Sequence, residues 1–154
     1  MLSPCYDIAP LQKEDLHEIM EIEKLSFAHP WTEEACAVEF SKPYSFFLGI
    51  RHRDRVVAVL LYWVIFPEIH ILSLGVHPDH RRQKLASTLL QVLMEMGPDM
   101  ECEQIDLEVR ENNIAAQKLY EHLGFQKVGL RPHYYQDTNE DAFLYSYYFQ
   151  GNCA

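Results

Sequence analysis

The sequence is short of cations. Thirteen Lys and Arg stand against 23 Asp and Glu among 154 residues, a net charge of −10. A general nucleic-acid binder needs a basic face that displaces counterions, and this balance argues against one. It suits a cationic partner instead. Long apolar runs are missing too. The longest, Val56 to Phe66, has 11 residues, whereas a bilayer-spanning helix takes about 20. The opening stretch MLSPCYDIAP is neither basic nor a long apolar run, so no signal peptide is expected. Only four cysteines occur, Cys5, Cys36, Cys102 and Cys153, and no CxxC. No structural zinc site is expected, and the cysteines read as reduced thiols in a cytoplasm. No repeat, low-complexity segment or Gly/Ser-rich linker divides the chain. Residues 1–154 are therefore expected to form a single domain.

What charge there is falls unevenly. Residues 1–50 hold 3 basic and 9 acidic side chains, and residues 101–154 hold 4 and 9. Residues 51–100 hold 6 and 5, a net of +1. Only this middle third does not repel anions, and Arg81, Arg82 and Lys84 cluster within it.

Hydrophobic periodicity orders the elements. Tyr6–Ala9 reads as a short strand, and Asp15–Phe27 as a helix with its stripe at Leu16, Ile19, Met20, Ile22 and Leu25. Thr32, followed by Glu33 and Glu34, suits the N-cap of a second helix through Phe40. Ser45–Arg51, Arg55–Phe66 and Glu68–Val76 read as strands of an antiparallel meander. Arg82–Met96 reads as a helix stopped by Gly97-Pro98. The strand Gln104–Arg110, a helix Asn113–Leu123 ending at Gly124, and strands Phe125–Val128 and Ala142–Phe149 around a polar loop complete the pattern. A strand–helix–strand unit from Glu68 to Arg110 implies a parallel crossover in a mixed α/β sheet.

Three places invite chemistry. From Leu72 to Leu90 a strand gives way to a basic turn and a helix. Unpaired N–H groups and the helix dipole make such a start a phosphate cradle, although a solvated basic corner has the same pattern. In the strand 104–110, alternation turns Glu108 away from Leu107 and Val109, onto the face of Asp106 and Arg110. Glu108 is either a surface carboxylate or a base. Tyr120 lies four residues from Ala116 and from Gly124 on one helical face. It is either a packed core ring or a phenol that can give up a proton. Asn113 has the residue type of an N-cap.

The residues that carry these patterns resemble a known family. Arg81-Arg82-Gln83-Lys84-Leu85-Ala86 is similar to the phosphate loop [R/Q]-x-x-G-x-[G/A] of the GNAT superfamily of acyl-CoA-dependent N-acetyltransferases, with Lys84 where glycine is usual. Lysine there is expected to keep helical φ/ψ and to add a charge towards phosphate. Leu107–Phe125 resembles LEVR-x-x-N-x-x-A-x-x-LY-x-x-x-GF, the pattern of the RimI-type ribosomal-protein-alanine N-acetyltransferases. Arg131-Pro-His-Tyr-Tyr135, Glu140-Asp-Ala142 and Phe27-Ala-His-Pro-Trp-Thr32 agree with that subgroup. The resemblance implies a mostly antiparallel twisted sheet with splayed central strands and about four helices. It implies direct acetyl transfer from acetyl-CoA to a protein N-terminal α-amine, with no metal. The acceptor would be a basic ribosomal protein in the cytoplasm, and neither nucleic acid nor a membrane is expected as partner. It assigns Glu108 as base through a water and Tyr120 as acid. It assigns Leu74, Gly75, Val76, the run Arg81, Arg82, Gln83, Lys84, Leu85, Ala86 and Ser87, and Asn113 to the co-substrate.

Two other readings stay open at this point. The acceptor could be a lysine side chain or a small amine, with the same chemistry. The chain could also be an acyl-CoA-binding module without catalysis, which Lys84 alone favours and the pair Glu108 and Tyr120 opposes. His77-Pro-Asp-His80 has metal-like spacing but no third ligand nearby in sequence. Tyr134, Tyr135, Tyr145, Tyr147 and Tyr148 divide between core and groove by alternation.

Overall fold

A computed structural model of the chain describes residues 5–150, so Cys153 lies outside the described residues. The helices are α1 (Leu16–Ser26), α2 (Glu33–Glu39), α3 (Leu85–Asp99) and α4 (Ile114–His122). The strands are β1 (Tyr6–Pro10), β2 (Ser45–His52), β3 (Arg55–Ile65), β4 (Glu68–Val76), β5 (Gln104–Arg110), β6 (Gln126–Tyr135) and β7 (Glu140–Tyr148). They form a mixed sheet in the order β1-β2-β3-β4-β5-β7-β6. The expected parallel crossover joins β4 to β5, with Glu68 opposite Gln104 and His70 opposite Asp106. That ladder takes in residues 68–70 of β4, and Ile71–Val76 run on past it. No helix among the described residues is long and apolar enough to cross a membrane.

By internal packing the chain divides into two units. One holds the described residues up to Val64 together with Leu72–Val92, and the other holds Ile65–Ile71 together with the described residues from Leu93 on.

In the first unit β1 pairs antiparallel with β2, and β2 with β3. The β2–β3 hairpin turns on Arg53 and Asp54, both with positive φ (50° and 70°), the backbone that a two-residue hairpin loop demands. The stripe on α1 supplies Ile19 and Ile22 to a core with Leu11, Phe47, Val56, Val59 and Leu61. Thr32 caps α2 as predicted, its Oγ1 accepting from Ala35 N at 3.1 Å. Glu23 of α1 is 2% exposed. It accepts from Ser73 Oγ at 2.9 Å and from Trp31 N at 3.2 Å. Burial pushes its pKa up against those two bonds. This one carboxylate therefore ties the late part of β4 and the Pro30-Trp31 bend to α1. Gly75 completes the fit, because a Cβ there would stand 3.0 Å from Ile22 Cγ2 and 3.3 Å from Ser26 Oγ.

In the second unit β5 alternates as predicted. Ile105, Leu107 and Val109 are buried, while Asp106, Glu108 and Arg110 take the other face. β7 pairs antiparallel with both β5 and β6. Asn113 caps α4, its Oδ1 accepting from Ala116 N at 3.1 Å. Gly124 (φ 99°) closes the helix, with Phe125 N bonding Tyr120 O at 2.9 Å and Gly124 N bonding Glu121 O at 3.1 Å. That is a Schellman end, as expected.

Three elements differ from expectation. α3 begins at Leu85 and not at Arg82, because Arg82 and Lys84 carry φ of 64° and 60°, outside a right-handed helix. α3 also runs through Gly97 and Pro98 to Asp99. The stop is a second Schellman end with Glu101 at φ 58°, Cys102 N on Gly97 O at 3.1 Å and Glu101 N on Pro98 O at 3.0 Å. Gly97 is a packing residue: a Cβ on it would overlap the Phe149 ring. Gly97→Ala is expected to destabilise the protein by about 1–2 kcal/mol despite alanine's better helix propensity, since overpacking outweighs it. Urea denaturation checks this. Finally, β6 extends to Tyr135, so Arg131-Pro-His-Tyr-Tyr135 lies on a strand and not in a loop. Its ladder with β7 slips at Lys127/Gly129 and at Arg131/Tyr135, which accommodates Pro132 on an outer strand of the sheet.

Candidate active site

In the first unit Leu74, Gly75 and Val76 end β4, and Pro78–His80 make a single 3-10 turn. Arg81, Arg82, Gln83 and Lys84 follow, all exposed. Leu85 is buried at the start of α3, with Ala86 and Ser87 half-buried behind it. Arg81 Nε donates to Val76 O at 3.4 Å, which folds the loop back onto the strand end. Lys84 O accepts from Thr88 N at 3.0 Å and from Thr88 Oγ1 at 2.7 Å, so the helical ladder begins there. A 15-residue helix thus opens behind three exposed cations, with orphan N–H groups and the positive end of its dipole. This arrangement suits a phosphate.

The backbone corrects one expectation. Lys84 sits in the left-handed region, φ 60°, not in helical φ/ψ. The position needs a glycine-like backbone, and lysine adopts it at a cost of about 1–2 kcal/mol. Lys84→Gly relieves that strain, while glycine's larger chain entropy takes back roughly 0.5–1 kcal/mol. A net gain of about 0.5–1 kcal/mol, or ~2–3 °C in Tm, is expected, with turnover within a few-fold. Thermal unfolding and steady-state kinetics of the one variant check both.

The same unit gathers three histidines ahead of the loop. Tyr6 Oη lies 3.0 Å from His80 Nδ1, and the His80 ring is 4.9 Å from His52 and 6.1 Å from His77. No group of three His, Cys, Asp or Glu among the described residues is arranged to hold a metal ion.

In the second unit Glu108 and Tyr120 belong to a set of titratable side chains. Glu108 Oε2 lies 2.8 Å from His70 Nε2, and the two side chains are 13% and 39% exposed. Glu108 is therefore not the bare surface carboxylate that alternation alone allows. Tyr120 is buried in α4, its ring 5.5 Å from Phe125 and 6.3 Å from Tyr145. Burial, with Tyr135 as a lesser cause, pushes its phenol far above the usual value, so it holds its proton throughout the neutral range. Half-buried Tyr135 is pushed up to about 12, by burial first and with the Glu108 charge contributing. The Arg110 guanidinium lies 4.0 Å from the Tyr135 ring centroid and bonds Asp137 Oδ2 at 2.8 Å. Arg110 thereby braces Tyr135 and the β6–β7 turn together. In the aromatic tail Tyr145 is fully buried, whereas Tyr134 and Tyr148 are exposed.

Asn113 is a cap on the same unit, at the end of the connection from β5 to α4. His70 is the neighbour that sequence reasoning missed. Its signal was present: Ile69 and Ile71 are buried, so β4 turns the residue between them to the face that Asp106 and Glu108 share.

Comparison with known proteins gives a consistent result. The model of the acetyltransferase (GNAT) family matches residues 16–125. The [ribosomal protein bS18]-alanine N-acetyltransferase of Escherichia coli K12 is 32% identical over 139 residues, 89% of this chain and 93% of that protein. An N-alpha-acetyltransferase of Saccharolobus solfataricus is 45% identical over 76 residues, 49% of this chain and 45% of that one. Among solved structures, the ribosomal-protein-S18-alanine N-acetyltransferase from Escherichia coli superposes with a TM-score of 0.88 at 29% identity, covering 97% of this chain and 98% of its own.

Proposed function

The chain belongs to the acetyltransferase (GNAT) family, and from that premise we propose that it moves the acetyl group of acetyl-CoA to the N-terminal α-amine of a protein. The transfer is direct, within a ternary complex. The amine nitrogen attacks the thioester carbonyl carbon, the C–S bond breaks, and the amine proton and the thiolate must both be dealt with. An α-amine with pKa about 7.7–8.0 is mostly protonated at neutral pH, so a base is needed. Glu108 takes the amine proton, directly or through one water, and Tyr120 returns a proton to the leaving thiolate.

The observation that carries this reading is the Glu108 carboxylate: mostly buried, bonded to His70 and within the electrostatic reach of Tyr135. Acetyl-CoA is the co-substrate. Its pantetheine pairs with the backbone of Leu74–Val76, its pyrophosphate takes the Arg81–Ser87 loop, and Asn113 adds a hydrogen bond beside its capping task. The exposed cations and the free N–H groups of α3 support the phosphate part of this assignment. The acceptor is a basic ribosomal protein in the cytoplasm, in keeping with the net charge of −10. Residues 1–154 act as one acetyltransferase domain.

The test is a peptide panel. Peptides beginning with alanine, with the α-amine free or blocked and with or without an internal lysine, are incubated with acetyl-CoA. The acetylated atom is located by mass spectrometry. Acetyl on the free α-amine alone is expected. Acetyl on lysine of the blocked peptide would overturn the acceptor assignment, and well-folded protein that binds no CoA by calorimetry would overturn the co-substrate.

A further inference from the structure

The register of the parallel pair puts His70 of β4 opposite Asp106 of β5. Glu108, two residues further on the same face, leans back to bond His70 Nε2 through Oε2 at 2.8 Å. Its Oε1 has no hydrogen-bond partner among the described residues, so one oxygen is clamped and the other is open. Of the pair, the histidine is the more exposed, 39% against 13% for the glutamate, so bulk protons reach the carboxylate most readily through the imidazole.

We propose that His70 is a positioning residue that decides when Glu108 can act as a base. Protonated, the imidazole holds the Glu108 charge as an ion pair and weakens it as a proton acceptor. Neutral, it keeps Oε2 in place through Nε2–H but no longer stabilises the anion, and Oε1 can take a proton. The inference rests on the reading of Glu108 as base.

Charged groups meet His70 from several sides. Glu68 lies on its own strand, Asp106 and Glu108 on β5, and Arg131 on β6. Asp106 is held by Gln104 Nε2 at 2.8 Å and by Ser146 Oγ at 2.5 Å. Tyr135, also on β6, faces Glu108. Three carboxylates against one guanidinium favour the imidazolium. The Glu108 bond, ahead of any other cause, lifts the His70 pKa above its ordinary value. The gate therefore closes at a higher pH than a free imidazole would close it.

The consequence is a count of protons. Glu108 keeps the amine proton within the complex, so at low pH one proton must leave to solvent before transfer, the one on His70. The logarithm of kcat/KM for wild type should then fall with a slope of one per pH unit below the His70 midpoint. His70→Gln keeps an amide N–H for Oε2 but does not titrate, so its kcat/KM should stay level there, until Glu108 itself is protonated. The activity ratio of mutant to wild type then rises about tenfold for each pH unit below the His70 midpoint. NMR titration of the His70 ring supplies an independent readout: its midpoint should lie above about 6.5 and drop when Glu108→Gln removes the carboxylate. A level wild-type profile below the His70 midpoint, or equal slopes in wild type and His70→Gln, would overturn the gate. Failure of the underlying reading looks different, since Glu108→Gln would then transfer acetyl groups at pH 7 as fast as wild type.

Discussion

Glu108→Gln should lower kcat/KM by about 10²–10⁴-fold near pH 7, the range that positioned acid–base groups supply. The loss should shrink as pH rises. Near pH 7 only about a tenth of an α-amine is free, and the enzyme must remove the proton from the rest. Well above pH 8 the amine arrives neutral and the carboxylate is needed less. Glutamine keeps the size of the side chain and can still bond His70 Nε2, now 2.8 Å from Glu108 Oε2, so the β4–β5 register should survive. Acetyl-CoA affinity should be nearly unchanged. On a lysine acceptor the recovery should come about two units higher, near that amine's pKa of about 10.4. The check is a pH series of kcat/KM with calorimetry on the same preparation. A defect of equal size from pH 6 to pH 10, with binding intact, would assign Glu108 to orientation of the acceptor.

Tyr120→Phe should lower kcat by about 10²–10⁴-fold with little change in stability. The ring packs against Phe125 and Tyr145, and phenylalanine keeps that packing while deleting the proton. Burial raises the phenol pKa well above its usual value. Ionisation of Tyr120 should therefore put no alkaline limb on the wild-type kcat profile up to pH 10. Rapid-quench turnover and thermal unfolding check the two halves of this expectation. Unchanged kcat with chemistry shown to be rate-limiting would leave Tyr120 a core ring and nothing more.

Much of this arrangement could be read from residue order. The stripe at Ile19 and Ile22, the caps Thr32 and Asn113 and the Gly124 end are local signals, and each appears where periodicity or residue type put it. What escaped was set by other parts of the chain. Nothing local in Arg82 or Lys84 announces a left-handed backbone, because both residue types are good helix formers. Gly97-Pro98 looks like a stop, yet the helix ends at a left-handed Glu101 instead. Gly129 and Pro132 look like a loop, yet they lie on β6, whose ladder with β7 slips around them. Glu108 was legible through alternation, and so was the face that His70 takes, but their bond was not, since it depends on the register of two strands and joins residues 38 positions apart.

The position of β7 bears on how the chain is made. Residues 140–148 form a strand that stands between β5 and β6 and is hydrogen-bonded to both. During synthesis the chain emerges from its N-terminus, and residues up to 92 include everything the first unit needs. The second unit has to wait. Until its last strand is translated, β5 and β6 each present a bare edge, the kind of surface that pairs with other chains. A nascent or truncated chain lacking residues 140–148 should therefore hold a folded first unit and an aggregation-prone remainder, and no acetyl transfer is expected from it.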